Sequence, residues 1–175
     1  MNFLGLSNTV KVEQSDAAIV EDGDGQFVSV LYGGKHKLNK HHKVVGTVSR
    51  RLQEYTVRVD CASKESITST YEIRFQAEVV HGSEQTAFYE LREPQATMES
   101  LSADRMRQSI RSYTLAQVYQ MREEIAHDVT RGLCEQLEGK GWRATHVIIT
   151  EIIPPPEVVE EWKRKAEEKR KEVKM

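Results

Sequence analysis

"IRSYTLAQVYQMREEIAHDVTRGLCEQLEGKGWRATHVIITEIIPPPEVVEEW", residues 110–162, changes its structural character twice along its length. Between Leu115 and Leu137 apolar residues recur every three or four positions, which places them on one face of an α-helix. Thr114 and Gln117 have the spacing of a capping box, in which each side chain binds the other residue's backbone N–H. The pattern predicts one continuous helix that begins at this pair.

The helical pattern ends at two glycines and is followed by a β-strand. Gly139 and Gly141 are typical of a helix C-terminus. Residues 144–153 are rich in β-branched residues on both faces, so we expect one late strand that is covered on both sides. Pro154 to Pro156 then stop the strand, because proline donates no backbone hydrogen bond and keeps its predecessor out of the α region.

A charged helix is predicted after the prolines. Pro156 suits its first turn, and Glu/Lys and Glu/Arg pairs at i, i+4 each add about 0.2–0.5 kcal/mol, which is too little to hold a short helix alone. A thin apolar stripe at a and d spacing therefore predicts a partner, and we expect it to mediate self-association. Its members are Val159, Trp162, Ala166 and Val173. For Trp162 two interpretations stay open, a cap on the domain core and an anchor at an interface.

The first half of the chain has the pattern of short strands. Runs at 9–12, 17–20 and 27–31 are rich in β-branched residues, and Asp-Gly-Asp-Gly at 22–25 predicts a tight hairpin between the last two. A calcium loop is disfavoured, because it needs a longer series of acidic ligands. From residue 55 to 80 apolar and polar residues alternate, which predicts two half-buried strands of an antiparallel sheet.

These patterns together predict the fold class. We expect an α/β (α+β) fold in which a mixed, mainly antiparallel twisted sheet packs against helices and is followed by a charged C-terminal helix. The expected domain is residues 1–153, and residues 154–175 form a proline hinge and the start of a coiled-coil-type helix.

Composition narrows the class of protein. With 30% charged residues and a net charge of -2, the chain has no bulk attraction to polyanions, so nucleic acid is not expected as a partner. Cys61 and Cys134 stand in no metal or redox spacing, which fits a reducing compartment. No run reaches the roughly 18 apolar residues of a membrane span, signal-peptide features are missing, and residue 2 is Asn where N-myristoylation requires glycine. We expect a cytoplasmic protein, with peripheral membrane contact as an open alternative.

A basic segment interrupts the strand region. From Lys35 to Arg51 there is no acidic residue, and the basic residues gather at Lys35, His36, Lys37, Lys40, His41, His42 and Lys43. A solvated loop is the first interpretation, and a surface for anionic lipid or a protein partner is the second. Nucleic acid ranks third, because the segment lacks aromatic residues for base stacking. The lysines also disfavour a metal held by the three histidines.

No motif for catalysis occurs in the sequence. A nucleophile elbow, a phosphate-binding glycine loop, a zinc-protease helix and a dinucleotide fingerprint are all missing, so we expect no enzyme activity, no cofactor and no metal. Cys61 with His81 could form a catalytic pair, but an inert thiol on an inward strand face is favoured.

The order of elements and several local strings resemble the SPFH domain, also called the Band 7 or prohibitin-homology domain, of stomatins, prohibitins and flotillins. The resemblance covers nearly all of the chain from Thr9. Its most specific part is the quoted stretch, with the Thr-Leu helix start, an Arg followed by acidic residues, a Gly before a "V.I..I" strand, and Pro-Pro before an acidic helix. These fall on Ile110, Thr114, Leu115, Arg122, Glu123, Ile125, Gly141, Val147, Ile149, Ile152, Pro154 and Pro155.

The resemblance implies a non-catalytic scaffold that forms homo-oligomeric rings or cages and organises partners such as membrane proteins or proteases at or near a membrane. The chain departs from the family in three ways: it shows no N-terminal membrane anchor, its helix after the prolines stops at Met175, and "YGGKHKL" (32–38) opens a basic segment where relatives have an apolar membrane-proximal loop. The alternatives are a soluble binding or regulatory module and, last, an enzyme with an unrecognised site.

Overall fold

The computed structural model describes residues 8–172, which form strands and helices in the predicted mixed arrangement. In chain order the elements are β1 (Asn8–Glu21), β2 (Phe27–Leu38), β3 (Lys43–Ser49), β4 (Gln53–Ala62), β5 (Thr68–Val79), α1 (Glu84–Glu90), α2 (Pro94–Ile110), α3 (Leu115–Gln120), α4 (Arg122–Leu137), β6 (Trp142–Ala144), β7 (Ile148–Ile153) and α5 (Pro156–Glu172). β1 pairs antiparallel with β2 and β3 in one sheet, and β5 pairs antiparallel with β6 and β7 in a second sheet. The antiparallel pairing was predicted, whereas the sequence predicted one sheet and not two.

The described residues divide into two compact units. The first contains the residues up to Glu54 together with Gln76–Thr97 and Cys134–Thr145. The second contains Tyr55–Phe75, Met98–Leu133 and the residues from His146.

The first unit contains a three-stranded sheet in the order β2-β1-β3. Its central strand carries four consecutive buried residues, Ala17 to Val20, because a central strand can be covered on both faces. The sequence predicted two separate strands here, and this prediction was wrong. β1 is one strand whose register against β2 shifts between Val12 and Ala17, so the polar residues between the two apolar runs form an irregularity within the strand.

The predicted hairpin between β1 and β2 is confirmed. Asp22 organises it, since one carboxylate oxygen accepts hydrogen bonds from the backbone N–H groups of Asp24 at 3.0 Å and Gln26 at 2.9 Å. Gly25 has φ +79°, a conformation that glycine adopts without steric cost. An Asx-type turn therefore fixes the register of the sheet.

Gly141 sets the packing of α1 in the same unit. It has φ +77°, and a Cβ atom placed on it would lie 2.7 Å from both the backbone nitrogen of Ala87 and the carbonyl oxygen of Ser83. The adjacent β6 pairs with residues 77–79 of β5. Only a residue without a side chain allows the backbone before β6 to approach the helix this closely.

The second unit contains the alternating strands that the sequence predicted. In β4 the residues Tyr55, Val57, Val59 and Cys61 are buried, and the polar residues between them are exposed, which confirms the prediction. β7 pairs with residues 70–74 of β5. Ile148 and Ile153 of β7 are 54% and 42% exposed, so the expectation that both faces of the late strand are covered was wrong. The predicted single strand is also two elements, β6 and β7.

The predicted long helix is interrupted at Met121. The capping box of Thr114 and Gln117 is confirmed, with the Gln117 N–H donating to the threonine hydroxyl at 3.2 Å and the Thr114 N–H donating to the Gln117 amide oxygen at 2.9 Å. Met121 leaves the helical conformation, with φ -106° and ψ 29°, and α4 begins after it. At this break Arg122 donates from Nε to the carbonyl oxygen of Ile149 at 2.7 Å. The recurrence of apolar residues every three or four positions did not reveal this interruption.

Glu72 joins three strands of the second unit. Its carboxylate accepts from Arg58 Nε at 2.9 Å and from the Thr150 hydroxyl at 3.0 Å, and Arg74 lies 3.4 Å away. The hydrogen bond from Arg58 and then that from Thr150 lower the pKa of Glu72. The carboxylate therefore remains ionised and cross-links β4, β5 and β7.

Candidate functional site

The C-terminal helix begins where the sequence predicted. The N–H groups of Val158 and Val159 donate to the carbonyl oxygen of Pro155 at 3.1 and 3.3 Å, so the first turn forms directly on the prolines. Pro156 is the first helical residue, at a position where its missing N–H costs no intrahelical bond. Pro154 and Pro155 are therefore the whole connection between β7 and α5.

Trp162 makes one aromatic contact at the base of α5. Its ring meets Tyr119 edge-to-face, with the ring centroids 5.9 Å apart and the planes at 69°. The Tyr119 hydroxyl donates to the carbonyl oxygen of Ile152 at 3.4 Å, which ties the same tyrosine to β7. Burial raises the pKa of Tyr119, so the hydroxyl stays protonated and keeps its role as a donor. Trp162 nevertheless remains 38% exposed.

The rest of the predicted stripe is open to solvent in the described part of the chain. Val159 is half-buried, Ala166 is exposed, and every described residue after Trp162 is exposed. The fourth predicted member, Val173, lies outside the described residues. One of the predicted Glu/Lys pairs at i, i+4 is confirmed: the Glu161 carboxylate lies 2.6 Å from the Lys165 ammonium, and this hydrogen bond lowers the pKa of Glu161. The helix thus has a surface ion pair between Glu161 and Lys165 and one aromatic contact, but no buried residue.

The basic segment spans the end of β2, the turn and the first residue of β3. Asn39 organises the turn, because its carbonyl oxygen accepts from the His42 N–H at 3.0 Å and its side-chain oxygen accepts from the His41 N–H at 3.4 Å. Strand alternation divides the segment. The exposed members are Lys35, Lys37, Lys40, His41 and Lys43, whereas His36 and His42 are half-buried.

One contact and one strand pairing determine which positive charges accompany the basic segment. His36 Nε2 lies 2.5 Å from the carbonyl oxygen of Tyr32, so this imidazole is held against its own strand. Lys11 of β1 stands opposite Lys35 in the strand register and extends the positive surface, which sequence spacing could not show. Among residues 8–172 no ion pair is formed by the lysines of the segment, so their charges are available to an anionic partner.

Comparison with known proteins identifies the family. The model of the SPFH domain / Band 7 family matches residues 10–175, nearly the whole chain and including α5. The chain belongs to the SPFH family. It is also similar to Hypersensitive-induced response protein 4 of Arabidopsis thaliana, with 26% identity over 149 residues that make up 84% of this chain and 51% of the relative. This SPFH chain therefore spans about half the length of that curated relative.

Family membership confirms the resemblance drawn from residues 110–162. It supports a scaffold or regulatory role of the SPFH type. SPFH proteins are generally scaffolds without enzyme activity. Within residues 8–172, no helix is both long enough and apolar enough to cross a bilayer.

The thiol and imidazole groups of this SPFH chain form no metal cluster in the described range, where no three His, Cys, Asp or Glu side chains converge. Burial raises the pKa of Cys61 to about 12, so the group is a thiol at neutral pH and a poor nucleophile. This agrees with the packing role that was favoured for Cys61.

Sequence reasoning missed a buried carboxylate in this SPFH chain. Glu84 is 1% exposed, and one oxygen accepts from the Gly82 N–H at 2.9 Å and the Tyr32 hydroxyl at 3.3 Å. The other oxygen lies 3.6 Å from Arg50 Nε and 3.4 Å from His81 Nδ1. Burial and then the negative charge of Glu84 raise the pKa of Tyr32. The cluster joins the start of α1 to β2, and no pattern in the sequence indicates these long-range partners.

Proposed function

We propose that this SPFH chain is a non-catalytic scaffold that assembles into homo-oligomers through the exposed face of α5 and organises partner proteins at or near a membrane surface. The observation that carries the proposal is the state of Trp162. The indole is anchored to Tyr119 on one side and remains 38% exposed on the other. Tryptophan is among the residues most enriched at the energetic centres of protein interfaces.

The length and charge of α5 support the same function. The helix has 17 residues, none of them buried, so it extends without tertiary packing beyond the turn that carries Trp162. Isolated helices of this size are marginal in water, and packing of an apolar face normally stabilises them. A second helix of the same sequence supplies that face, since Val159, Trp162 and Ala166 recur at coiled-coil spacing.

Trp162→Ala is expected to convert the assembled 175-residue chain to smaller species. Truncating an aromatic anchor costs about 2 kcal/mol or more, so the dissociation constant should rise at least about 30-fold. Light scattering coupled to size exclusion over a concentration series measures the mass. Lys163→Ala, at the exposed neighbouring position of the same helix, is the matched control and should leave the mass unchanged.

A second variant separates assembly from stability. Ala166→Asp places a charge on the stripe one turn beyond Trp162, at an exposed site away from Tyr119. The Ala166→Asp variant should lower the mass of the assembly and leave the thermal unfolding temperature unchanged. A wild-type chain that stays monomeric at high concentration contradicts the proposal. If Trp162→Ala and Ala166→Asp both form assemblies of the wild-type mass, Trp162 only caps its own domain.

The membrane-surface part of the proposal depends on the exposed lysines of the basic segment. Each basic residue near an anionic bilayer contributes about 1 kcal/mol of attraction. Replacing Lys35, Lys37, Lys40 and Lys43 by Gln should therefore lower the partition coefficient by about three orders of magnitude. Flotation with phosphatidylserine-containing liposomes at low and physiological salt measures this loss, because screening weakens a surface attraction.

The control for the flotation experiment matches the change in net charge. Lys64, Lys140, Lys163 and Lys169 lie outside the basic segment, and their replacement by Gln removes the same four charges. This control should still float. If the wild-type chain does not bind liposomes at low salt, the alternative holds, and the chain is a soluble SPFH-type binding or regulatory module.

A further inference from the structure

Two histidines from different elements meet on the surface of the second unit. His127 lies on α4, and His146 lies in the connection between β6 and β7. The centroids of the two imidazole rings are 4.9 Å apart, and the ring planes are at 50°. Both residues are exposed, and both line a groove of about 590 Å³ along α4 and the start of β7. The proposed scaffold function makes no use of this pair.

A hydrogen bond next to the pair holds the two histidines together. The N–H of Val147, the residue after His146, donates to the hydroxyl oxygen of Thr130 at 2.9 Å. That hydroxyl donates in turn to the carbonyl oxygen of Ala126 at 2.7 Å, and Thr130 and Ala126 lie on the same helix as His127. Val147 is also buried, so the connection packs into the core at this point. The two rings are therefore brought together by the fold itself.

The imidazoles of the pair are available to a ligand. Neither ring makes a hydrogen bond or an ion pair with any of the residues 8–172; each contacts the other ring. The ionised residues that line the groove are Arg122 and Glu123, which carry opposite charges. The Arg122 guanidinium donates to the carbonyl oxygen of Ile149. The groove therefore does not repel a cation, in contrast to the lysine-rich surroundings of the histidines in the basic segment.

We propose that His127 and His146 ligate one divalent transition-metal ion of the Ni²⁺, Cu²⁺ and Zn²⁺ class. Imidazole is a preferred ligand of these ions, whereas Mg²⁺ and Ca²⁺ require oxygen ligands. Two imidazoles that bind one Zn²⁺ ion at about 2.1 Å in tetrahedral geometry have ring centroids roughly 5 Å apart, which agrees with the observed 4.9 Å. No third His, Cys, Asp or Glu completes a cluster within residues 8–172, so water or an outside ligand fills the other positions.

The pair could not be found by spacing along the chain. His127 and His146 belong to separate elements, and only the packing of the β6–β7 connection against α4 brings them together. The sequence prediction of no metal weighed the histidines of the basic segment alone. Because neither histidine of the pair lies in α5 or in the basic segment, the metal proposal is independent of assembly and of lipid binding.

Isothermal titration calorimetry of Zn²⁺ into the untagged 175-residue chain tests the metal proposal. We expect a binding event that requires both histidines and that Mg²⁺ does not produce. His127→Ala and His146→Ala should each weaken this event at least tenfold, because loss of even an outer partner of a metal ligand typically costs about 10- to 100-fold in affinity. His41→Ala removes an exposed histidine of the basic segment, so it is the matched control and should leave the event unchanged.

Thermal unfolding gives a second measurement of the same site. An ion that binds only the folded chain raises its melting temperature, so Zn²⁺ should stabilise the wild type and His41→Ala more than either groove variant. Circular dichroism without metal checks that the variants fold, and if one groove variant does not fold the other decides the outcome. A wild-type chain that does not bind Zn²⁺, or binding that either groove substitution leaves unchanged, overturns the proposal. Binding that only His41→Ala removes would place the ion in the basic segment and overturn it as well.

Discussion

Gly141→Ala is expected to lower the free energy of unfolding by about 2–4 kcal/mol. The new Cβ would lie 2.7 Å from two backbone atoms of α1 and its N-cap, the Ala87 nitrogen and the Ser83 oxygen, and backbone cannot rotate away as a side chain can. The positive φ of +77° adds a cost of about 1–2 kcal/mol for any residue with a Cβ. Urea unfolding followed by circular dichroism measures the loss.

Gly139→Ala is the matched control for this substitution. Gly139 has nearly the same dihedral, φ +76°, but nothing lies within 4 Å of the position that a Cβ atom would take there. The Gly139→Ala variant should therefore lose only the conformational part of the stability, about 1–2 kcal/mol, without the added cost of the backbone clash. If the two variants are equally stable, the close approach of residue 141 to α1 does not determine the packing of the first unit.

Phe75→Ala is expected to cost about 3–5 kcal/mol, the usual range for truncating a buried phenylalanine. Phe75 is 2% exposed and stacks on Tyr55, with the ring centroids 5.1 Å apart and the planes at 11°. The substitution removes both the buried area and the aromatic pair across β4 and β5. A large shift of the denaturation midpoint without a change in the slope would report lost stability.

Phe75→Leu separates the two contributions to this loss. Leucine keeps most of the apolar volume but cannot stack, so the cost should fall to about 1–2 kcal/mol, and a residual of this size belongs to the aromatic pair. If Phe75→Ala costs no more than an exposed substitution such as Thr56→Ala, the side chain is not part of the core.

The parts of the fold that could be predicted are those encoded by neighbouring residues. Alternation in β4 and β5 identified Phe75 and Tyr55 as inward residues, because a strand presents successive side chains to opposite faces. The capping box at Thr114 and the helix at Pro156 were also found, since both depend on residues within one helical turn.

The parts that could not be predicted depend on contacts distant in sequence. The break at Met121 accompanies a bond from Arg122 to Ile149, which lies 27 residues away in the chain. β7 has an apolar composition, but Ile148 and Ile153 remain exposed, because composition does not say which neighbours cover a strand. β1 is one strand because β2 pairs with it on both sides of the polar residues between its apolar runs.

In the candidate site, too, the features encoded by neighbouring residues could be predicted and those that depend on distant contacts could not. The stripe spacing predicted Trp162 as a special residue, but its partner Tyr119 lies on a separate helix and could not be inferred from spacing. The basic segment was visible as a run of like charges, whereas the position of Lys11 opposite Lys35 depends on strand register. Self-association through the stripe and lipid contact through the basic segment stay predictions.

The aromatic contact of Trp162 with Tyr119 is at the base of α5, and the rest of the helix is unburied. The proposed self-association would order this helix by mass action, so it predicts that the apparent melting temperature of α5 rises as the protein concentration is raised. The strands around Glu72 carry their own cross-links and should melt at a temperature that dilution does not change.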